Sequence, residues 1–382
     1  MPEAYILDAV RTPFGREDGV LSEWRPDDLL GYTAREFLDQ HTFDEELLED
    51  FVVGCVTQVD EQGVNIARMA GLIAELPLDT GGVSLNRMCG SGQQALNFGS
   101  MAVMSGQHDL VLTGGVESMS RVPISSDADT FSEKLQEKWD VLHQGESAER
   151  IADEWGLTRE ELDEFALESH QRAIDAQDRG FLANEITPVP REPWNEDAKA
   201  VEHDEGPRRG TTLEKLGQLP TVFREEGGKL TPGSSSQITD GAAVTLVGNE
   251  AMVDETGIEP RARIVQTAVA GVDPEIMLTG PIPATREVLD KADLELSDMD
   301  TVEVNEAFAS VPLAWMDEYP DYPYEQMNPN GGAIALGHPL GATGQKLVQT
   351  ALNQLEETGG RYGLVTMCIG FGQATATIIE RV

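Results

Sequence analysis

An α/β fold, with a mostly parallel sheet covered by helices on both faces, is what the sequence predicts on three observations. Short apolar and β-branched runs alternate with helical patterns toward both ends of the chain. A stretch rich in Pro, Asp and Ser interrupts that alternation in the middle. The two ends also echo one another, each as strand, glycine-rich turn and helix, which suggests duplication.

In order, Ala4–Val10 reads as a first strand and Pro26–Gln40 as a helix opened by proline, whose fixed φ suits a first turn. Phe51–Val56 is a buried strand, Asn65–Leu76 a helix, and Gly82–Asn86 a strand leading into a helix over about Ser91–Ser105. Leu110–Gly114 is the next strand. Between about Val116 and Gln237 loops surround two helices, Ser147–Glu154 and Thr158–Arg179. The second opens with a Thr-x-x-Glu capping box, which satisfies free N–H groups of the first turn. Alternation resumes with strands Asp240–Val247 and Ala262–Val269, a helix near Ala284–Lys291, a strand Thr301–Val304 and a helix from Glu306. Two strands close the chain, Gly363–Cys368 and Thr375–Glu380. The expected division is residues 1–117, completed by about 238–258, then a loop domain over 118–237, then a second half over 259–382.

The charge balance narrows the function. Against 68 acidic residues stand 27 basic ones, for a net charge of −41 over 382 residues. Such a chain repels nucleic acid and anionic membranes. At molar salt the Debye length falls to about 3 Å and the self-repulsion fades. The acidic excess runs along the whole chain, so the reading is a protein of a high-salt cytoplasm, that of a halophilic archaeon. The first residues lack the basic and apolar regions of a secretory signal, and no apolar run is long enough to span a bilayer. A cytoplasmic enzyme is expected. Three cysteines, Cys55, Cys89 and Cys368, are too few for a disulfide framework and lack the spacing of a zinc site.

Cys89 stands between a strand and a helix, among small residues. The positive end of the helix dipole there favours thiolate, the form that attacks a carbonyl carbon. Cys55 lies within a strand and reads as core. His338, between Gly and Pro in a glycine-rich run, is held as an acid, a base or an oxyanion donor needs to be. Cys368 ends a strand and enters Ile369-Gly370-Phe371-Gly372, a turn whose amides could face an oxyanion. Asn305 follows another strand and could position a water. A Cys, a His and an Asn also suggest a papain-like protease, but the order Cys, Asn, His and the second thiol argue against it. No Gly-x-Gly-x-x-Gly opens a helix after a first strand, which argues against a dinucleotide fold.

Together these segments resemble the thiolase family over essentially the whole chain. The matching motifs are Asp8-Ala9-Val10-Arg11-Thr12-Pro13, Glu61-Gln62-Gly63-Val64-Asn65-Ile66-Ala67-Arg68, Asn86-Arg87-Met88-Cys89-Gly90-Ser91-Gly92 and Gly114-Gly115-Val116-Glu117-Ser118-Met119-Ser120. Asn305-Glu306-Ala307-Phe308, Gly337-His338-Pro339 and Cys368-Ile369-Gly370 complete the set. The resemblance implies a duplicated, five-layered α/β/α/β/α fold with an inserted loop domain over a coenzyme A site. It implies an acyltransferase that cleaves 3-ketoacyl-CoA to acetyl-CoA and a shortened acyl-CoA, in the manner of fatty acid β-oxidation. An acetoacetyl-CoA thiolase for biosynthesis is the alternative. A catalytically silent partner subunit is a third reading, opposed by the joint presence of Cys89, Asn305, His338 and Cys368.

By the same resemblance Cys89 would carry the acyl group, His338 would take its proton, and Cys368 would be the acid/base for the acetyl-CoA carbanion. Asn305 would hold a water that, with His338, forms one oxyanion hole; the backbone amides of Cys89 and Gly370 would form the other. Ser236 would meet the pantetheine, Phe223 and Leu213 would flank it, Arg208 would reach the phosphates, and His143 and Met277 would line the acyl end. Coenzyme A and acyl-CoA are substrates; no permanent cofactor and no metal are expected. The expected assembly is a homodimer or dimer of dimers, to which another β-oxidation enzyme or an OB-fold protein could add. Three departures stand out. Phe371 occupies a glycine position, where a positive φ would exclude a β-carbon. Gln144 replaces an apolar residue near the acyl tail. The segment between Ser120 and His143 is short beside that of tetrameric biosynthetic members, which favours a dimer.

Overall fold

The computed structural model describes residues 2–128, 130–195 and 197–382. The first half contains β1 (Tyr5–Arg11), β2 (Gly15–Arg16), α1 (Pro26–Asp39), β3 (Asp50–Gly54), α2 (Ile66–Ile73), β4 (Val83–Leu85), α3 (Ser91–Ser105) and β5 (Leu110–Ser118). The insertion follows, with α4 (Glu133–Gln136), α5 (Gln144–Glu154), α6 (Arg159–Asp178), the small strands β6 (Val189–Pro190) and β7 (Ala200–Val201), and α7 (Leu213–Gly217). Then come β8 (Thr239–Gly248), α8 (Glu250–Thr256), β9 (Ala262–Gly271), α9 (Pro281–Ala292), β10 (Met299–Val304), α10 (Ser310–Glu318), α11 (Ala333–Leu336), α12 (Thr343–Thr358), β11 (Tyr362–Ile369) and β12 (Gln373–Arg381).

The main sheet runs β10-β11-β12-β9-β1-β8-β5-β3-β4. Its two halves meet only where Tyr5 and Ile6 pair with Arg263 and Ala262. Each half repeats the other: β3 and β5 are parallel as β10 and β11 are, and antiparallel β5–β8–β1 recurs as β11–β12–β9. The duplication inferred from the echoing ends is therefore present in the topology. The expectation of a mostly parallel sheet is corrected, because most of these pairings are antiparallel. The insertion returns β8 against β5 in the opposite sense, and the turn at Gly370-Phe371-Gly372 folds β12 straight back on β11.

Helices α3 and α12 pack on one another between the two half-sheets, α1 and α2 cover the outer face of the first half, and α9 lies on the outer face of the second. Three apolar clusters fill these spaces. One packs α1 and α2 on β3, β5 and β8 through Leu30, Phe37, Phe51 and Leu246; the middle one joins α3 and α12 through Leu96 and Leu347; the third holds Val288, Trp315 and Ile378. With helices on both sides, β5 and β8 are buried along their whole length and read as unbroken runs rather than alternating ones. Cys55 directly follows β3 and is fully buried in the first cluster.

Local signals explain the ends. The Thr158–Glu161 capping box forms on α6, and Gly106, at φ +72°, closes α3 in the left-handed conformation. Two helix starts differ from expectation. Helix α10 begins at Ser310, not Glu306, because the buried Glu306 carboxylate holds a loop instead. Helix α5 begins at Gln144, not Ser147, because the His143 side chain accepts the Gly145 N–H and caps it.

Candidate active site

Cys89 lies in the turn between β4 and α3 and is buried. Asn86 shapes the turn: it accepts the Met88 N–H at 2.7 Å and donates to the Val56 carbonyl at 2.8 Å. The expectation that the helix end favours thiolate is corrected. Burial dominates and pushes the Cys89 thiol up to about 11, against hydrogen bonds from the Gly370 amide, its own amide and the Gln144 side chain.

The pseudo-equivalent turn of the second half carries His338, just before α12. Gly337 has φ +101°, and a β-carbon there would stand 2.2 Å from a Thr239 methyl, so only glycine fits. The His338 N–H donates to the Gln237 carbonyl at 3.1 Å. Its Nδ1 lies 2.7 Å from the Thr343 hydroxyl, which gives its own proton to the Pro339 carbonyl at 3.0 Å. Thr343 must then accept from Nδ1–H, which leaves the lone pair on Nε2. Burial lowers the imidazole to about 4, so it is neutral at pH 7.

Nε2 of His338 is 3.3 Å from Asn305 Nδ2, at the end of β10. The amide oxygen of Asn305 is buried and has no hydrogen-bond donor, which suits a water or substrate O–H. Cys368, on the neighbouring strand β11, is fully buried. Burial and the nearby Cys89 push its thiol far up, opposed by hydrogen bonds from the Asn305 side chain and the Ala307 amide. The four residues singled out from the sequence thus converge in one buried site, with the amides of Cys89 and Gly370 both on the Cys89 sulfur.

Two struts hold the halves in this relation. Fully buried Glu117 accepts N–H groups from Val56, Thr57, Gln62 and Gly341, at 2.7–3.0 Å. The Gly341 carbonyl presses so close to α3 and β5 that a β-carbon on Gly115 would lie 2.0 Å from it, and one on Gly92 2.4 Å. Glu306 accepts from Ser169, Asn328 and the Ile334 amide and so ties the loop before His338 to α6. Sequence reasoning misses Glu117 as a strut, although a carboxylate ending an otherwise uncharged strand is a signal. It also misses Thr343, Arg16 and the contact of Gln144 with Cys89.

A cleft of about 320 Å³ is lined by His170, Arg208, Lys215, Leu216, Pro232 and Gln237. An adjoining hollow brings in Arg16 and Ser236 beside Arg208. The strip holding Ser236 and Gln237 runs along the site: the Ser236 amide donates to Ala307 and the Gln237 amide to Ala333. No carboxylate is ion-paired with Arg16, Arg208 or Lys215 among the described residues. Burial and the facing Arg16 lower the Arg208 guanidinium, and burial with both arginines lowers His170 to about 4. Phe223 stacks on His143 with centroids 5.5 Å apart and meets Phe308 edge-on. Leu213 is exposed at the start of α7 and does not line the cleft. Met277 is buried, and its sulfur accepts the Phe371 N–H at 3.2 Å. Phe371 does adopt the positive φ that its side chain resists, +59°, with its ring against Phe131. Among the described residues no group of His, Cys, Asp or Glu is arranged to hold a metal ion.

The family model for the thiolase N-terminal domain matches residues 4–251, and that for the thiolase C-terminal domain matches residues 258–381. A steroid 3-ketoacyl-CoA thiolase of Mycobacterium tuberculosis is 46% identical, over 100% of this chain and 95% of the relative. A 3-oxoadipyl-CoA/3-oxo-5,6-dehydrosuberyl-CoA thiolase of Escherichia coli is 44% identical over the full length of both. The crystal structure of an acetyl-CoA acetyltransferase from Bacillus anthracis superposes with a TM-score of 0.90 at 35% identity, over 100% of this chain and 99% of that one.

Proposed function

The chain belongs to the thiolase family and is an acyltransferase, and from that premise we propose that it cleaves 3-ketoacyl-CoA with coenzyme A through an acyl-enzyme on Cys89. The observation that carries this is the convergence of two buried thiols, a neutral imidazole and a carboxamide. Neither thiolate nor imidazolium is stable alone in so dry a pocket. Moving the Cys89 proton to Nε2 of His338 makes both ions together, and their attraction offsets part of the desolvation each suffers. The Cys89 thiolate adds to the C3 carbonyl of the substrate. The C2–C3 bond then breaks, its electron pair goes to C2 of acetyl-CoA, and the Cys368 thiol supplies the proton there. Coenzyme A enters, gives its proton to the Cys368 thiolate, and attacks the acyl group. Cys89 leaves as thiolate and regains its proton from His338. Covalent capture divides one hard step into two, and the steps run backwards in Claisen condensation.

The Cys89 and Gly370 amides suit the oxyanion at C3, and a water on Asn305 with His338 suits the thioester oxygen. The three cations of the cleft, unneutralised in a chain of net charge −41, suit the phosphates of coenzyme A, with Ser236 and Phe223 along the pantetheine and His143 and Met277 toward the acyl end. The further proposals are a cytoplasm of high salt and a homodimer built on the edge strand β4. Val83, exposed on β4 itself, supports the dimer, and Val64, Leu78, Phe98 and Met101 of the same half are also exposed.

The test is to mix purified protein with acetoacetyl-CoA and free coenzyme A in concentrated salt and follow loss of the β-ketothioester. Turnover that vanishes in Cys89→Ala is expected; equal turnover by that variant overturns the acyl-enzyme.

A further inference from the structure

One histidine of the cleft has no part in the reaction above. His170 lies on α6, is only 4% exposed, and lines the cleft beside Arg208 and Lys215. Its Nδ1 accepts the Arg208 main-chain N–H at 3.3 Å. Nδ1 therefore carries the lone pair, and the proton of the neutral ring sits on Nε2. Burial, with Arg208 and Arg16 facing it, keeps the ring neutral at pH 7. The Nε2–H has no partner among the described residues. A buried donor left in this state costs free energy that a ligand with an acceptor oxygen restores.

The other polar side chains here are committed to the protein itself. Gln237 donates to the carbonyls of Gly206, Ile334 and Ala335, and Lys215 to that of Gly210 at 2.6 Å. Thr211 gives its proton to the Arg208 carbonyl at 2.9 Å. The Arg208 main chain is thus held at its N–H by His170 and at its carbonyl by Thr211, while its guanidinium has no partner among the described residues. One imidazole therefore fixes a guanidinium with one nitrogen and offers a free N–H with the other. The pair suits an anion with several acceptor oxygens. A neutral donor adds a hydrogen bond to such an anion without burying a further charge beside two arginines.

Resting on the thiolase reading, we infer that His170 is a further binding residue for the phosphate end of coenzyme A. Its Nε2–H donates to a phosphate oxygen, while its Nδ1 positions Arg208 for the same ligand. It makes the enzyme favour coenzyme A over thiols that keep the pantetheine arm but lack the phosphates.

The experiment measures kcat and KM for each of two acyl acceptors, coenzyme A and pantetheine, at saturating acetoacetyl-CoA in concentrated KCl. Two variants separate the two nitrogens. In His170→Asn the amide oxygen takes the place of Nδ1 and keeps the Arg208 bond, but the side chain is too short to set a donor at Nε2. In His170→Gln the amide nitrogen reaches that position. His170→Asn should raise KM for coenzyme A, relative to KM for pantetheine, by about tenfold or more, with the change in KM rather than kcat. His170→Gln should recover most of that loss. A native enzyme with equal KM for the two thiols overturns the inference, as does a ratio unmoved in His170→Asn, or His170→Gln no better than His170→Asn. If acetoacetyl-CoA is consumed with either thiol while the ratio stays flat, the inference alone falls. If neither thiol supports loss of the β-ketothioester, the thiolase reading falls with it.

Discussion

Cys89, His338 and Cys368 rest in neutral forms because burial outweighs every favourable contact they make. Replacing Cys89 by Ala should therefore lower kcat by at least about 10⁴-fold, since no neighbouring group can substitute as nucleophile. Cys368→Ala should still form the acyl-enzyme, seen by mass spectrometry, but lose proton exchange at the acetyl methyl group; persistent exchange removes Cys368 from that role. His338 makes a stability prediction of definite sign. Its folded value, about 4, lies below the ordinary 6.5, so between these the unfolded chain binds the extra proton. The stability His338 contributes is complete above pH 6.5 and is lost as pH falls toward 4, at up to about 1.4 kcal/mol per pH unit. Denaturant titrations of His338→Asn should show that slope reduced across the window. These residues are legible in the sequence because each sits in an unusual local setting, a thiol or imidazole among glycines. Gln144, Thr343 and Glu117 are harder to assign, since their partners become neighbours only when the two halves close.

At the scale of elements, length and period tell which segments are strands and helices but not which way neighbouring strands run. That is why the sequence alone points to a parallel sheet. Gly370-Phe371-Gly372 reads in the sequence as a source of oxyanion amides, and the same turn is also the hairpin that reverses β12. Holding Phe371 at a positive φ costs roughly 1 kcal/mol, which the hairpin sustains through the packing of both strands. The sequence starts helix α10 too early because Glu306 looks like a first-turn acid, whereas its carboxylate is fully engaged by Ser169, Asn328 and Ile334. The edge strand β4 carries the prediction for this scale. Val83→Lys sets a charge on its exposed apolar edge and should shift the protein from dimer to monomer in light scattering. A native protein that is already monomeric rejects that interface.

For the whole molecule, charge outweighs every local effect. A net −41 spread over both halves and the insertion opposes compaction, and only 27 basic residues answer it. Many of those are engaged in ion pairs that tie distant segments, such as buried Arg11 with Glu185 and Asp204, and Arg261 with Asp8 and Glu356. Screening should relieve the remaining repulsion, so Tm should rise by more than about 5 °C between 0.1 and 2 M KCl. A flat or falling Tm would show that the acidic surface does not govern stability.

The cations left free in the cleft have a kinetic consequence. In dilute salt an approaching coenzyme A, itself a polyanion, meets the far field of the whole molecule before it can sense Arg16, Arg208 and Lys215, and is turned away. Concentrated salt cuts the range of both fields to about 3 Å, so the distant repulsion disappears while contact pairing survives in part. The apparent KM for coenzyme A should therefore fall as KCl rises, the reverse of what salt does to most phosphate-binding sites. Measured at fixed 3-ketoacyl substrate, a KM that climbs with salt would mean that the local cations, and not the molecular charge, control capture.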